Sequence, residues 1–192
     1  MRVMPSDMEN FVYYNPVKVV FGSGSLKEVG TNVAAYGKKA LLVSYANPTF
    51  LAKTIEVIHE ELVKCNVSCV DYFAVTANPL LSQARQGVSL CLDNEIDIVI
   101  GLGGGSVMDC AKIIAAGALY GNDIGGMIMF SHSNVKSVSP ERALPTVMIP
   151  TIPATGSEMN PTAVIPMTKQ NKRVMFGNRS VCIQRLRFWI RI

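Results

Sequence analysis

The sequence predicts an α/β fold, a parallel sheet flanked by helices. Three observations predict it. Between about residues 17 and 119, short β-branched runs alternate with segments whose apolar residues recur at helical spacing. The turns between them are short and marked by glycine or Asn-Pro. Residues 96–102 are apolar without interruption, as expected of a strand buried on both faces of a parallel sheet.

The elements follow in order. Residues 17–21 read as a first strand. Gly22-Ser23-Gly24 turns the chain, and Ser25 with Glu28 has the spacing of a capping box, so a helix is expected from Ser25 to about Tyr36, with Gly37 as its stop. A strand over 40–44 ends at Asn47-Pro48. In the helix expected over 49–65, Leu51, Ile55, Ile58 and Leu62 share a face. A strand over 67–74 ends at Ala77-Asn78-Pro79, and a helix over 80–92 leads to the buried strand. Gly103-Gly104-Gly105-Ser106 then opens a helix to about Leu119. Beyond Gly121 the rhythm weakens. Residues 124–130 fit either type, 131–141 read as a polar loop, and 144–150 as a strand. Residues 151–158 form a hydroxyl-rich loop, and 163–167 and 173–176 are short strands.

Composition narrows the function. Of 192 residues, 49% are hydrophobic and 17% charged, which excludes a disordered chain. The longest stretch between charges, 143–157, carries three prolines and is shorter than the ~18–20 apolar residues of a membrane span. The N-terminus lacks the apolar core of a signal peptide, so a cytoplasmic protein is expected. The net charge of +4 equals the four arginines at 179, 185, 187 and 191, which leaves no basic face for nucleic acid. Five cysteines without a CxxC pair read as reduced, mostly buried thiols; Cys65 and Cys69, with no histidine pair nearby, make a poor structural zinc site.

The chemistry concentrates at the glycine loop. It lies at the carboxyl end of the most apolar strand and opens a helix, whose first amides and dipole favour an anion such as a pyrophosphate. Open α/β sheets bind ligands at this edge. The competing reading is a tight turn in which glycine only permits packing. The usual dinucleotide fingerprint, GxGxxG after the first strand, does not match: here the loop follows the fourth or fifth strand with spacing GxGxxS. Asp109, three residues after Ser106, is either the acid of a second capping box or a polar group near a cofactor.

Four segments carry a family resemblance: Phe11-Val12-Tyr13-Tyr14-Asn15-Pro16 with Val20-Phe21-Gly22; Ala77-Asn78-Pro79; Gly103-Gly104-Gly105-Ser106-Val107-Met108-Asp109-Cys110-Ala111-Lys112; and 151–158 with Met159-Asn160. In this order and spacing the sequence resembles the iron-containing (group III) alcohol dehydrogenases, in particular their butanol-dehydrogenase-like branch. The resemblance implies a Rossmann-like NAD(P)-binding α/β domain over 1–178, followed in the family by a helical domain that holds a divalent metal, Fe or Zn. It implies hydride transfer between NAD(P)H and an alcohol or aldehyde, with the metal as Lewis acid, and it allows a homodimer. Gly104, Gly105 and Ser106 then resemble pyrophosphate contacts, and Asp109 a cofactor-side polar group. Thr151, Thr155 and Ser157 resemble contacts around the ribose and nicotinamide. Asn78 falls in the turn beside the adenosine half, and Lys172 resembles a lysine near the cofactor. The hydroxyls of 151–157 and Asn78 have turn-forming roles as alternatives.

No residue is assigned a catalytic role. The end of the second strand, Ser44-Tyr45-Ala46-Asn47, carries no acid to bind a ribose 2′-hydroxyl, so NADP is expected to be accepted and preferred over NAD. The family's metal ligands, an aspartate, a histidine four residues on and two further histidines, have no counterpart around His59 or His132. His59 reads as a boundary residue on its helix and His132 as solvated. The segment 179–192 is an atypical basic tail whose residues alternate from Arg185, a strand signal without an evident partner strand. It suggests a chain cut short by a frameshift or a wrong gene end. Two alternatives to a complete dehydrogenase follow: a non-catalytic dinucleotide-binding fragment whose sheet exposes an apolar face, and a glycerol-dehydrogenase-like or dehydroquinate-synthase-like relative that shares the cofactor domain.

Overall fold

The computed structural model describes residues 12, 14–121, 123–127, 129–130, 140–153, 155–166, 173–177 and 186–189. The chain runs β1 (Lys18–Phe21), α1 (Val29–Ala34), β2 (Lys39–Tyr45), α2 (Ala52–Lys64), β3 (Ser68–Val75), α3 (Leu81–Asp93), β4 (Ile98–Gly103) and α4 (Gly105–Tyr120). It continues through β5 (Met129–Phe130), β6 (Thr146–Pro150), β7 (Thr162–Pro166), β8 (Arg173–Gly177) and β9 (Leu186–Trp189). The main sheet has six parallel strands in the order β1-β9-β6-β4-β2-β3. A second, antiparallel sheet runs β5-β8-β7.

The expected fold class is observed, and the side-chain period of two explains why helices cover both faces. Leu41 and Val43 of β2 enter one apolar layer with Val107, Ala111 and Ile114 of α4. Ala40 and Leu42 enter the other with Val29 and Val33 of α1 and Ile58 and Leu62 of α2. Every residue of β4 and of β6 is buried. α3 and α4 approach closely because Gly87 lacks a side chain: a Cβ there would stand 2.3 Å from Ile114 Cδ1.

Two expectations change. The Ser25–Glu28 segment is a 3-10 turn rather than the first turn of a helix, and its entry residue, Gly24, has no side-chain cap. Gly24 is left-handed with φ of 79°, a conformation that glycine adopts without strain and that sets the chain direction into the turn. The atypical tail does find partners. β9 pairs in parallel with β1 along Leu186–Trp189 and with β6 at Val147 and Met148. Alternation announced the strand, but its neighbours lie far away in sequence. Among the described residues, β2, β4 and β6 are buried along nearly their whole length, while Val19 and Phe21 of β1 are exposed apolar side chains of the main sheet. No described helix is long and apolar enough to cross a membrane.

Candidate functional site

The carboxyl ends of β2, β4 and β6 place Tyr45, Gly103 and Pro150 along one edge of the sheet, and α4 starts there at Gly105. Gly104 precedes α4 in an extended conformation, and its carbonyl accepts the Met108 N–H at 3.1 Å, closing the first helical turn. The amides of that turn have no acceptor four residues back in the helix, which makes the terminus suited to an anion.

A cleft of about 940 Å³ opens beside this turn, lined among others by Asn78, Gly105, Ser106, Asp109, Thr155 and Ser157. These are six of the residues picked out from the sequence, and they come from three separate segments. Gly105 must be small, since a Cβ would stand 2.7 Å from Thr155 Cγ2. Ser106 Oγ donates to the Ala77 carbonyl at 2.7 Å and ties the helix start to the Asn78 turn. It therefore does not cap the helix, and Asp109 does not complete a capping box with it.

Asp109 instead anchors the opposite wall. Its Oδ1 accepts from Ser157 Oγ at 2.5 Å, and its Oδ2 accepts from the Val164 amide at 2.9 Å. Lys112, one turn along α4, is 1% exposed, and its Nζ stands 3.1 Å from Asp109 Oδ1. The ammonium also donates to Ser157 Oγ at 2.7 Å, to the Ser157 carbonyl at 3.0 Å and to the Thr162 carbonyl. A buried cation is tolerated only when paired and hydrogen-bonded in this way. The network welds α4 to the 157–164 segment and fixes Ser157 against the cleft. The neighbouring Cys110 thiol is pushed up to about 12 by burial and by the Asp109 charge, so it stays protonated and is no nucleophile.

The remaining sequence candidates fall differently. Gly104 is not at the cleft wall; its N–H donates to the Tyr45 hydroxyl at 2.7 Å. Thr151 continues β6 by donating its N–H to the Gly103 carbonyl at 3.1 Å. Lys172 and His132 lie outside the described residues. Sequence reasoning missed Lys112 and Tyr45. A lone cation inside the apolar run 110–119 was the available signal for Lys112. Tyr45 ends the second strand as its one aromatic residue, with no local signal for its contact to Gly104.

The residues fit a nucleotide with a diphosphate, because the cleft joins a helix N-terminus to the hydroxyl-bearing Ser106, Thr155 and Ser157 and to Asn78. They do not fit the family's metal. Among the described residues, the one group of three His, Cys, Asp or Glu donors within metal-binding reach is His59, Cys69 and Asp71, and none of these lines the cleft.

Comparison with known proteins agrees with this architecture. The family model for iron-containing alcohol dehydrogenase matches residues 16–184. A probable NADH-dependent butanol dehydrogenase 2 of Bacillus subtilis is 38% identical over 175 residues, covering 89% of this chain and 42% of that protein. The NADP-dependent alcohol dehydrogenase 3 of Entamoeba histolytica is 30% identical, covering 91% and 44%. The crystal structure of NADH-dependent butanol dehydrogenase A from Thermotoga maritima superposes with a TM-score of 0.83 at 32% identity, covering 95% of this chain and 44% of that one. The chain thus spans less than half the length of these relatives. By the matched segment and the shared fold, it belongs to the iron-containing alcohol dehydrogenase family.

Proposed function

We propose that this chain binds NAD(P)(H) in the cleft beside α4 and forms the cofactor side of an oxidoreductase acting between an alcohol and an aldehyde. The observation that carries the reading is the convergence of Asn78, Gly105, Ser106, Asp109, Thr155 and Ser157 on one cleft at the carboxyl ends of the parallel strands. Bound there, the nicotinamide would supply a hydride to an aldehyde or accept one from an alcohol.

The chain's own part is binding and orientation. The first amides of α4 hold the diphosphate, with the helix dipole favouring its charge. The Gly104 N–H joins them when the Tyr45 hydroxyl yields its place. Thr155 and Ser157 orient the ribose and nicotinamide, and Asn78 faces the adenosine half. Lys112 holds Asp109 and Ser157 in position. No step is assigned to a metal, since the donors it needs are not found at the cleft among the described residues. Relatives described as NADH-dependent and as NADP-dependent both occur, which supports the cofactor class. β2 ends at Tyr45 and is followed by Ala46 and Asn47, with no carboxylate to repel a 2′-phosphate, which supports acceptance of NADPH and a preference for it.

Calorimetry and thermal denaturation of the full chain with NADPH and NADH test the reading. At ligand about 100-fold above Kd, stabilisation by about 2.7 kcal/mol is expected. Gly105→Val, whose side chain runs into Thr155, removes the shift. No shift with either nucleotide overturns the cofactor reading, and a strong preference for NADH overturns the expected acceptance of the 2′-phosphate. Assay with butanal as substrate then asks whether binding leads to turnover.

A further inference from the structure

We propose that His59, Cys69 and Asp71 form a zinc-class cation site that clamps α2 to the edge strand β3. Residues 69, 71 and 73 alternate onto one face of β3, and Cys69 and Phe73 pack into the layer that holds α2. Across from them α2 presents His59, one residue after the buried Ile58. His59 Nε2 and Asp71 Oδ1 are 2.9 Å apart, Cys69 Sγ is 3.9 Å from the same oxygen, and all three donor atoms lie within 4.8 Å of one another. Tetrahedral zinc, with bonds of about 2.0–2.3 Å, keeps donors about 3.3–3.6 Å apart. The observed separations bracket that range.

The donor set selects the ion. A thiolate and an imidazole with one carboxylate suit zinc or cobalt, whereas magnesium and calcium take oxygen ligands. A shallow groove lined by Glu56, His59, Glu60 and Phe73 lies next to the site, so His59 is reached from solvent. Without the ion, burial and then the Asp71 charge push the Cys69 thiol up to about 12. Binding therefore replaces the S–H bond by a metal–sulfur bond and releases that proton to solvent, the imidazole binding as its neutral form. A water completes four-coordination.

The position suggests what the ion does. β3 ends the main sheet, and the donors lie on its first half, whereas the glycine loop follows the carboxyl end of β4. The site would act as a staple on an otherwise open edge, without contributing to the cleft.

Cobalt(II) titration of the reduced full chain tests the proposal. A thiolate-to-cobalt charge-transfer band is expected at one equivalent, and zinc should abolish it by displacement. Cys69→Ser removes the band, while His59→Gln and Asp71→Asn each weaken binding at least tenfold. Cys65→Ser leaves it unchanged. No band and no thermal stabilisation by zinc overturn the proposal, as does a band that survives in Cys69→Ser. Since neither readout needs a nucleotide, the result is independent of the cofactor reading.

Discussion

α2 and α4 pack on opposite faces of one sheet, and they use their residues in different ways. α2 buries Ile58 and Leu62 fully and presents most other side chains to the groove or to solvent. α4 is covered by the sheet, by α3 and by β7, and from Val107 to Gly117 every residue but Asp109 is buried. On a helix with one covered face, polar residues can be solvated and tell little about function. On a helix covered from several sides, each polar residue must be held by others. Lys112 and Asp109 meet that demand through Ser157 and the 162–164 backbone. The same bonds shape the wall of the candidate cleft.

Substitutions can break this contrast. Lys112→Met should have the largest effect, costing about 3–5 kcal/mol, because it leaves Asp109 and buried carbonyls without their cation. Urea denaturation measures it, and a loss of less than about 1 kcal/mol would make the buried network no more important than a surface pair. On α2, Leu62→Ala should cost about 2–5 kcal/mol through lost burial and the cavity left behind. It should leave nucleotide affinity unchanged, since α2 does not reach the cleft; a change in Kd measured by calorimetry would refute the division of labour between the helices.

The smallest effect is expected where α4 ends. Asp123 pairs with Arg85 of α3 at 2.7 and 2.8 Å on the surface, and the hydrogen bond from Arg85 holds its carboxyl below the usual carboxylate range. A group depressed in the folded state stabilises above its unfolded pKa and loses that contribution as pH falls through its folded value. Both side chains are largely exposed, so Asp123→Asn should cost no more than about 1 kcal/mol at neutral pH. Melting curves of the variant and the parent should converge as pH drops below about 4, and a gap that widens in acid would reverse the assigned sign.

Much of the site was legible because its parts announce themselves locally. The triple glycine after an apolar run marks a strand, a turn and a helix start in six residues. Asn78 and the 151–157 hydroxyls were legible only by resemblance, since hydroxyls and Asn-Pro suit any turn. Ser25–Glu28 shows the limit of a local rule: the capping spacing is present, yet the chain closes a 3-10 turn before α1. The tail shows the opposite case. Its alternation correctly signals a strand, β9, which takes an interior place next to the edge strand β1 and lies beyond the segment matched by the family model.

The sequence by itself determined the order of strands and helices, the two-sided covering of the sheet and the place of the glycine loop. These follow from periods of about 3.6 and 2 residues and from the backbone freedom of glycine, all of which act over a few neighbouring residues. Only the tertiary structure decided that Lys112 holds Ser157 across 45 positions, that Tyr45 rests on the Gly104 amide across 59, and that β9 separates β1 from β6. Such pairings depend on which surfaces meet after the layers have packed, and no local pattern encodes that meeting.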